Sequence, residues 1–89
     1  MESTLVAEAR VSSDGKLVLF VATIRDRGVQ CSISRRALEE HFWAPIGASD
    51  ARLLKAYADG RNRIAAAVER KMLRAPSELI QLNGADFNH

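Results

Sequence analysis

Metal coordination or nucleophilic catalysis needs several ligands, or a nucleophile and its base, brought to one place. This chain offers two histidines, His41 and His89, a single cysteine, Cys31, and scattered carboxylates. His41 stands three residues after Leu38 and next to Phe42, so it is expected to edge the apolar face of a short helix rather than to act as a ligand or base. His89 ends the sequence, where chains are seldom tied down. Cys31 alternates with Val29 and Ile33, a pattern that predicts a buried, inert thiol rather than an exposed, activated one. Phosphate-cradling glycine loops, dinucleotide fingerprints, zincin helices and nucleophile elbows are all missing from the sequence. The expectation is therefore no catalytic residue, no metal ligand and no cofactor, with a hydrolytic or redox enzyme ranked last.

Basic residues give a second chemistry. The stretch 50–74 holds seven of the thirteen Lys and Arg residues but three of the eleven acids. Read as a helix, it gathers Arg52, Arg63, Arg70 and Arg74 into one stripe opposite its apolar arc, a candidate polyanion-binding face that could follow a phosphate backbone. The plainer reading is a solvated, salt-bridged surface, since Asp59 lies in the same stripe four residues before Arg63. The stripe also has no aromatic residue on which a base could stack. Arg61 falls inside the apolar arc, and there it either snorkels past Tyr57 or pairs with Glu39 or Glu40 of a preceding helix.

These residues must be positioned by the elements around them. With 89 residues, 47% of them hydrophobic and 27% charged, the chain can offset its ordering entropy by burial and fits one domain over 1–89. Its longest apolar stretch, 17–24, is strand-sized, far from the ~20 residues of a membrane span. The first five residues carry an acid and no basic n-region, so neither a membrane segment nor a secretory signal is expected. A lone cysteine excludes an internal disulfide and fits a reducing cytoplasm. The net charge of +2 is too small to imply a polyanion partner by itself.

Leu5, Ala7, Ala9 and Val11 alternate with Glu8 and Arg10 between them, which predicts a half-buried strand over 5–11. Ser12 to Gly15 form a turn, and 16–25 reads as a central strand with apolar residues on both pleat faces. A reversal at Asp26, Arg27 and Gly28 leads to a third strand over 29–33, with Val29, Cys31 and Ile33 inward. Ser34 is placed to cap a short helix over 35–43 that buries Leu38 and Phe42. Ala44 to Ala48 break the chain, and Ser49 caps a long helix over 50–74. Its apolar arc is Leu53, Leu54, Tyr57, Ala58, Ile64, Ala65, Val68 and Met72. Gly60 does not disturb that phase, so one continuous helix is expected, with any bend at Gly60 and a stop at Pro76. A last short strand over 78–83 and a polar tail containing Phe87 follow. The fold class is thus α+β: an antiparallel β-meander in the order β-β-β-α-α-β, packed against one short and one long helix.

Ile33, Ser34, Ala37, Leu38, Glu39 and Phe42, then Leu54, Tyr57, Arg61, Arg63 and Ile64, and lastly Asp86 and Phe87 form a spacing that resembles the bacterial domain of unknown function 1488, a family of small stand-alone proteins. The likeness extends over 17–87. It implies a small α+β fold and brings no activity, cofactor or catalytic residue with it. The proline-containing stretch 43–48 departs from the family pattern.

The central strand carries Leu17, Leu19 and Val21 on one face and Val18, Phe20, Ala22 and Ile24 on the other, yet one layer of helices covers only one face of a sheet. The second face must be shielded within the monomer, by a protein partner, or by another copy in a homodimer. The functional expectation is a small non-enzymatic interaction module, self-associating or bound to a partner protein, with nucleic-acid binding as the alternative.

Overall fold

The computed structural model of the chain describes residues 3–5, 9–24, 26–74 and 79–87. Its order is β1 (Ser3–Leu5), β2 (Arg10–Val11), β3 (Leu17–Ile24), β4 (Arg27–Ser34), α1 (Arg35–His41), α2 (Asp50–Asp59), α3 (Arg61–Arg74), β5 (Leu79–Leu82) and a 3-10 turn, Gly84–Phe87. The α+β class is as expected, and so is the order of strands and helices except that the first strand and the long helix each appear as two described segments. Of the strand expected over 5–11, the described residues hold Leu5 at the end of β1 and Arg10–Val11 as β2, both antiparallel to β3 along one edge, with Leu5 opposite Ala22 and Val11 opposite Val18. Residues 6–8, Pro76, Glu78 and His89 lie outside the described residues.

Alternation places the core. Val18, Phe20, Ala22 and Ile24 of β3 and Val29, Cys31 and Ile33 of β4 are buried on one face of the sheet, because residues two apart on a strand share a face. The β2–β3 turn is tied by the Asp14 carboxylate, which accepts from the Ser12 hydroxyl at 2.5 Å and from the Lys16 amide at 3.0 Å. Gly15 supplies the left-handed residue, with φ +72°. In the β3–β4 turn Asp26 takes that role at φ +64°, a position an Asx side chain tolerates better than most, and Gly28 belongs to β4.

The meander is antiparallel through β4, but β5 pairs with β4 in parallel, with Cys31 opposite Ile80 and Ile33 opposite Leu82. The sheet is therefore mixed, in the order β1-β3-β4-β5 with β2 also on β3. Parallel neighbours require a crossover, and the three helices supply it. Ser34 caps α1 by accepting from the Ala37 amide at 3.1 Å, and Ser49 caps α2 by accepting from the Arg52 amide at 3.4 Å. The first helix ends earlier than expected, at His41. Trp43 then turns the chain in the left-handed region at φ +61°, and Ala44 donates its amide back to Leu38.

The long helix is two helices. Between α2 and α3, Gly60 adopts φ −99° and ψ 12° while its amide still donates to Ala56 at 3.0 Å and to Tyr57 at 3.2 Å. The buried stripe nevertheless runs through the break in phase: Leu53, Ala56, Tyr57, Gly60, Ile64, Ala67 and Val68. This stripe is rotated by roughly 70° from the expected arc, on ~100° per residue. Ala58 is exposed, Leu54, Ala65 and Met72 are half-buried, and Ala56 and Ala67 take their places inside. Phe87, expected in a polar tail, is buried through the 3-10 turn.

Candidate functional site

The rotation of the buried stripe changes what the basic residues do. The stripe of Arg52, Arg63, Arg70 and Arg74 no longer opposes the core but flanks it, and in α3 it borders α1 and the 3-10 turn. All four residues are exposed. Arg52 lies on α2 and the other three on α3, so Gly60 separates the first from the rest.

Arg63 is tied into the fold. Its Nη1 donates to the carbonyl of His41 at 2.9 Å, and its guanidinium carbon sits 4.6 Å from the centroid of the Phe42 ring, a cation–π contact. Phe42 in turn meets Phe87 edge to face with ring centroids 5.0 Å apart. The Asp59 carboxylate that was expected to pair with Arg63 instead pairs with Lys55 at 3.0 Å. Arg63, Ala66, Arg70 and Phe87 line an open recess of about 140 Å³. Periodicity places Phe87 in a polar tail, and the aromatic residue that the basic stripe lacks in sequence comes from this distant segment. Its signal in the sequence was weak: a single aromatic residue one turn after Gly84.

The acids near this recess are already engaged. Asp86 accepts from the Lys71 ammonium at 3.2 Å and from the Asn83 amide at 2.9 Å. Glu40 pairs with Arg36 at 2.8 Å and lies 3.9 Å from His41 Nε2. The His41 ring stands 6.0 Å from that of Phe87, so His41 edges the apolar cluster as its spacing predicts. A Cβ at position 84 would stand 3.1 Å from a Glu40 carboxylate oxygen, the far end of an exposed side chain that can give way.

Arg61 is exposed and takes part in none of the described ion pairs. The expected pairing with Glu39 or Glu40 is absent because the stripe's rotation carries position 61 to the rim, where its charge acts on Tyr57. Cys31 is buried, its thiol 3.4 Å from the Val29 carbonyl, and desolvation pushes it up to about 11, the opposite of an activated thiolate. Tyr57 is also buried, and desolvation raises its phenol to about 12. Among the described residues no group of three or more His, Cys, Asp or Glu could hold a metal ion. No helix among them is long and apolar enough to cross a membrane.

The opposite face of the sheet is partly open, with Ser32 buried at its centre. Leu17 and Leu19 are half-buried, Val21 is 36% exposed and Leu79 53% exposed. Gln30, Ser32 and Gln81 share this face by register. The core residues of all three helices pack into the cluster on the other side.

No curated protein and no solved structure matches the chain. The family model described as a protein of unknown function, DUF1488, matches residues 7–80, a span that holds β2 through the start of β5 but stops short of Asp86 and Phe87. With that match over most of its length, the chain belongs to the DUF1488 family.

Proposed function

We propose that this protein is a non-enzymatic interaction module that pairs with a second copy of itself through the open face of its sheet. One observation carries the reading: the core residues of every helix pack on the Val18 and Phe20 face, which leaves Val21 and Leu79 exposed and Leu17 and Leu19 half-buried on the other. Among the described residues of the paired strands, Arg10 at the edge is the one charge in register with that face, opposite Leu19. A face so nearly neutral does not repel its own copy. The two eight-residue strands β3 and β4, flanked by the shorter β1, β2 and β5, give a face of roughly 400 Å² at ~3.3 Å rise per residue and ~4.8 Å between strands. Two such faces bury about 800 Å² together, in the range of weak, transient association. The dimer is accordingly weak and concentration-dependent. The lone, buried Cys31 supports a reducing, cytoplasmic setting.

Sedimentation over a rising concentration series tests this reading. The expected result is a monomer–dimer equilibrium in the micromolar range that Val21→Glu combined with Leu79→Glu abolishes without lowering the melting temperature. A monomer at every concentration overturns it.

The second reading, nucleic-acid binding, is supported by the exposure of Arg52, Arg70 and Arg74. It is weakened by the engagement of Arg63 with His41 and Phe42. Retardation of a labelled oligonucleotide that fades steeply with added salt is its expected signature.

A further inference from the structure

We propose that the recess between α3 and the 3-10 turn, lined by Arg63, Ala66, Arg70 and Phe87, binds a phosphomonoester carried on an apolar body. This inference is independent of the self-association reading. It takes two of the four stripe arginines and assigns them a small ligand instead of a polymer.

The two cations are of different kinds. Arg63 is held in place by the His41 carbonyl and the Phe42 ring. One of its five N–H donors is occupied there, and the others remain for a ligand. Its preorganisation lowers the ordering cost of binding. Arg70 stands seven residues further on the same helix, about 10 Å along the axis, within reach of a common ligand for two long side chains. Among the described residues no carboxylate pairs with it, since the nearby acids Asp86 and Glu40 are matched to Lys71 and Arg36. Two guanidinium groups without a neutralising acid favour a dianion over a monoanion, and guanidinium matches phosphate oxygens in geometry.

Phe87 and Ala66 give the recess an apolar wall. The Phe87 ring is fixed by its edge-to-face contact with Phe42, so it offers a settled surface to an aromatic or aliphatic group attached to the phosphate. The volume of about 140 Å³ is well below the ~300 Å³ at which ordinary small-molecule pockets begin. A terminal phosphate and a few attached atoms fit, whereas a whole nucleotide does not.

The test is an amide chemical-shift titration of the full chain with phenyl phosphate, inorganic phosphate and benzoate at constant ionic strength. Phenyl phosphate is expected to shift the amides around Arg63, Ala66, Arg70 and Phe87 and to bind more tightly than either other probe. Arg70→Gln should weaken it by about tenfold, the loss of one charge-assisted pair, with the melting temperature unchanged because Arg70 has no described partner to lose. Arg52→Gln should leave it unaffected. Absence of localised shifts overturns the proposal, as does benzoate binding equal to phenyl phosphate, or an effect of Arg52→Gln equal to that of Arg70→Gln.

Discussion

The Phe42 ring occupies the place where a Cβ on Gly60 would stand. This one relationship joins the end of α1 to the junction of α2 and α3, and it accounts for a glycine in the middle of a buried helical stripe. Ordinarily Gly→Ala within a helix gains about 1 kcal/mol. Here the methyl group collides with a ring that is itself wedged between Arg63 and Phe87. Gly60→Ala is therefore expected to destabilise the fold by about 1–3 kcal/mol, the usual cost of overpacking. Combining it with Phe42→Leu should cost less than the sum of the two single changes. Urea denaturation of the three variants checks this. Stabilisation by Gly60→Ala alone would show that the ring yields freely.

Arg61 and Arg63 differ by two positions and should differ sharply on truncation. Arg63→Ala removes a hydrogen bond to a carbonyl and a cation–π contact, an expected loss of about 1–2 kcal/mol. Arg61 is exposed and outside the described ion pairs, so Arg61→Ala should fall within about 0.5 kcal/mol of the parent. Thermal melting measured side by side decides between this and a structural ion pair at Arg61.

Stability should fall in alkali. Desolvation raises the Cys31 thiol from 9.0 to about 11 and the Tyr57 phenol from 10.0 to about 12, the latter partly offset by Arg61. Above pH 9 the unfolded chain releases these protons first, so the folded state holds more protons and loses stability as the pH rises. The Cys31 contribution develops between pH 9 and 11 and that of Tyr57 between pH 10 and 12. Cys31→Ala should move the onset about one unit higher in chemical denaturation followed against pH. The same burial predicts that the native thiol resists alkylation at neutral pH and reacts promptly once unfolded.

The hydroxyl of Tyr57 is buried and has no hydrogen-bond partner among the described residues. Its ring packs 5.0 Å from Phe20, a contact that phenylalanine preserves. Tyr57→Phe is expected to be neutral or stabilising by up to about 1 kcal/mol, because it removes a desolvated polar group. A clear drop in melting temperature would reveal an unrecognised role for the oxygen.

Trp43 stands at φ +61° with 89% of its surface exposed. A bulky residue in the left-handed region costs about 1–2 kcal/mol, and so exposed a side chain returns little of that by burial. Trp43→Asn should stabilise the protein by about 0.5–1 kcal/mol, since asparagine tolerates this conformation. Denaturation midpoints measure it directly.

The residues that could be read without coordinates are those whose signal repeats over a few positions. Alternation fixed the inward set Val29, Cys31 and Ile33, and hydroxyl residues ahead of apolar stripes marked the caps Ser34 and Ser49. The buried phase of the long segment also survives Gly60, as a purely local pattern requires, although the sequence suggested an uninterrupted helix. What needed the tertiary structure depends on segments far apart in the chain. The break at Gly60 is tied to the ring of Phe42, eighteen residues earlier. The rotation of the stripe follows from which side of the helices meets the sheet, and this brings Arg63 beside His41 and Phe42 as a packing element instead of a solvent charge. Parallel docking of β5 beside β4 is likewise invisible to periodicity, because a strand's pattern is the same whichever way it runs. The phosphate-sized recess belongs to this second class: its arginines are legible as a stripe, but its aromatic wall arrives from Phe87, seventeen residues beyond Arg70, and only folding sets them side by side.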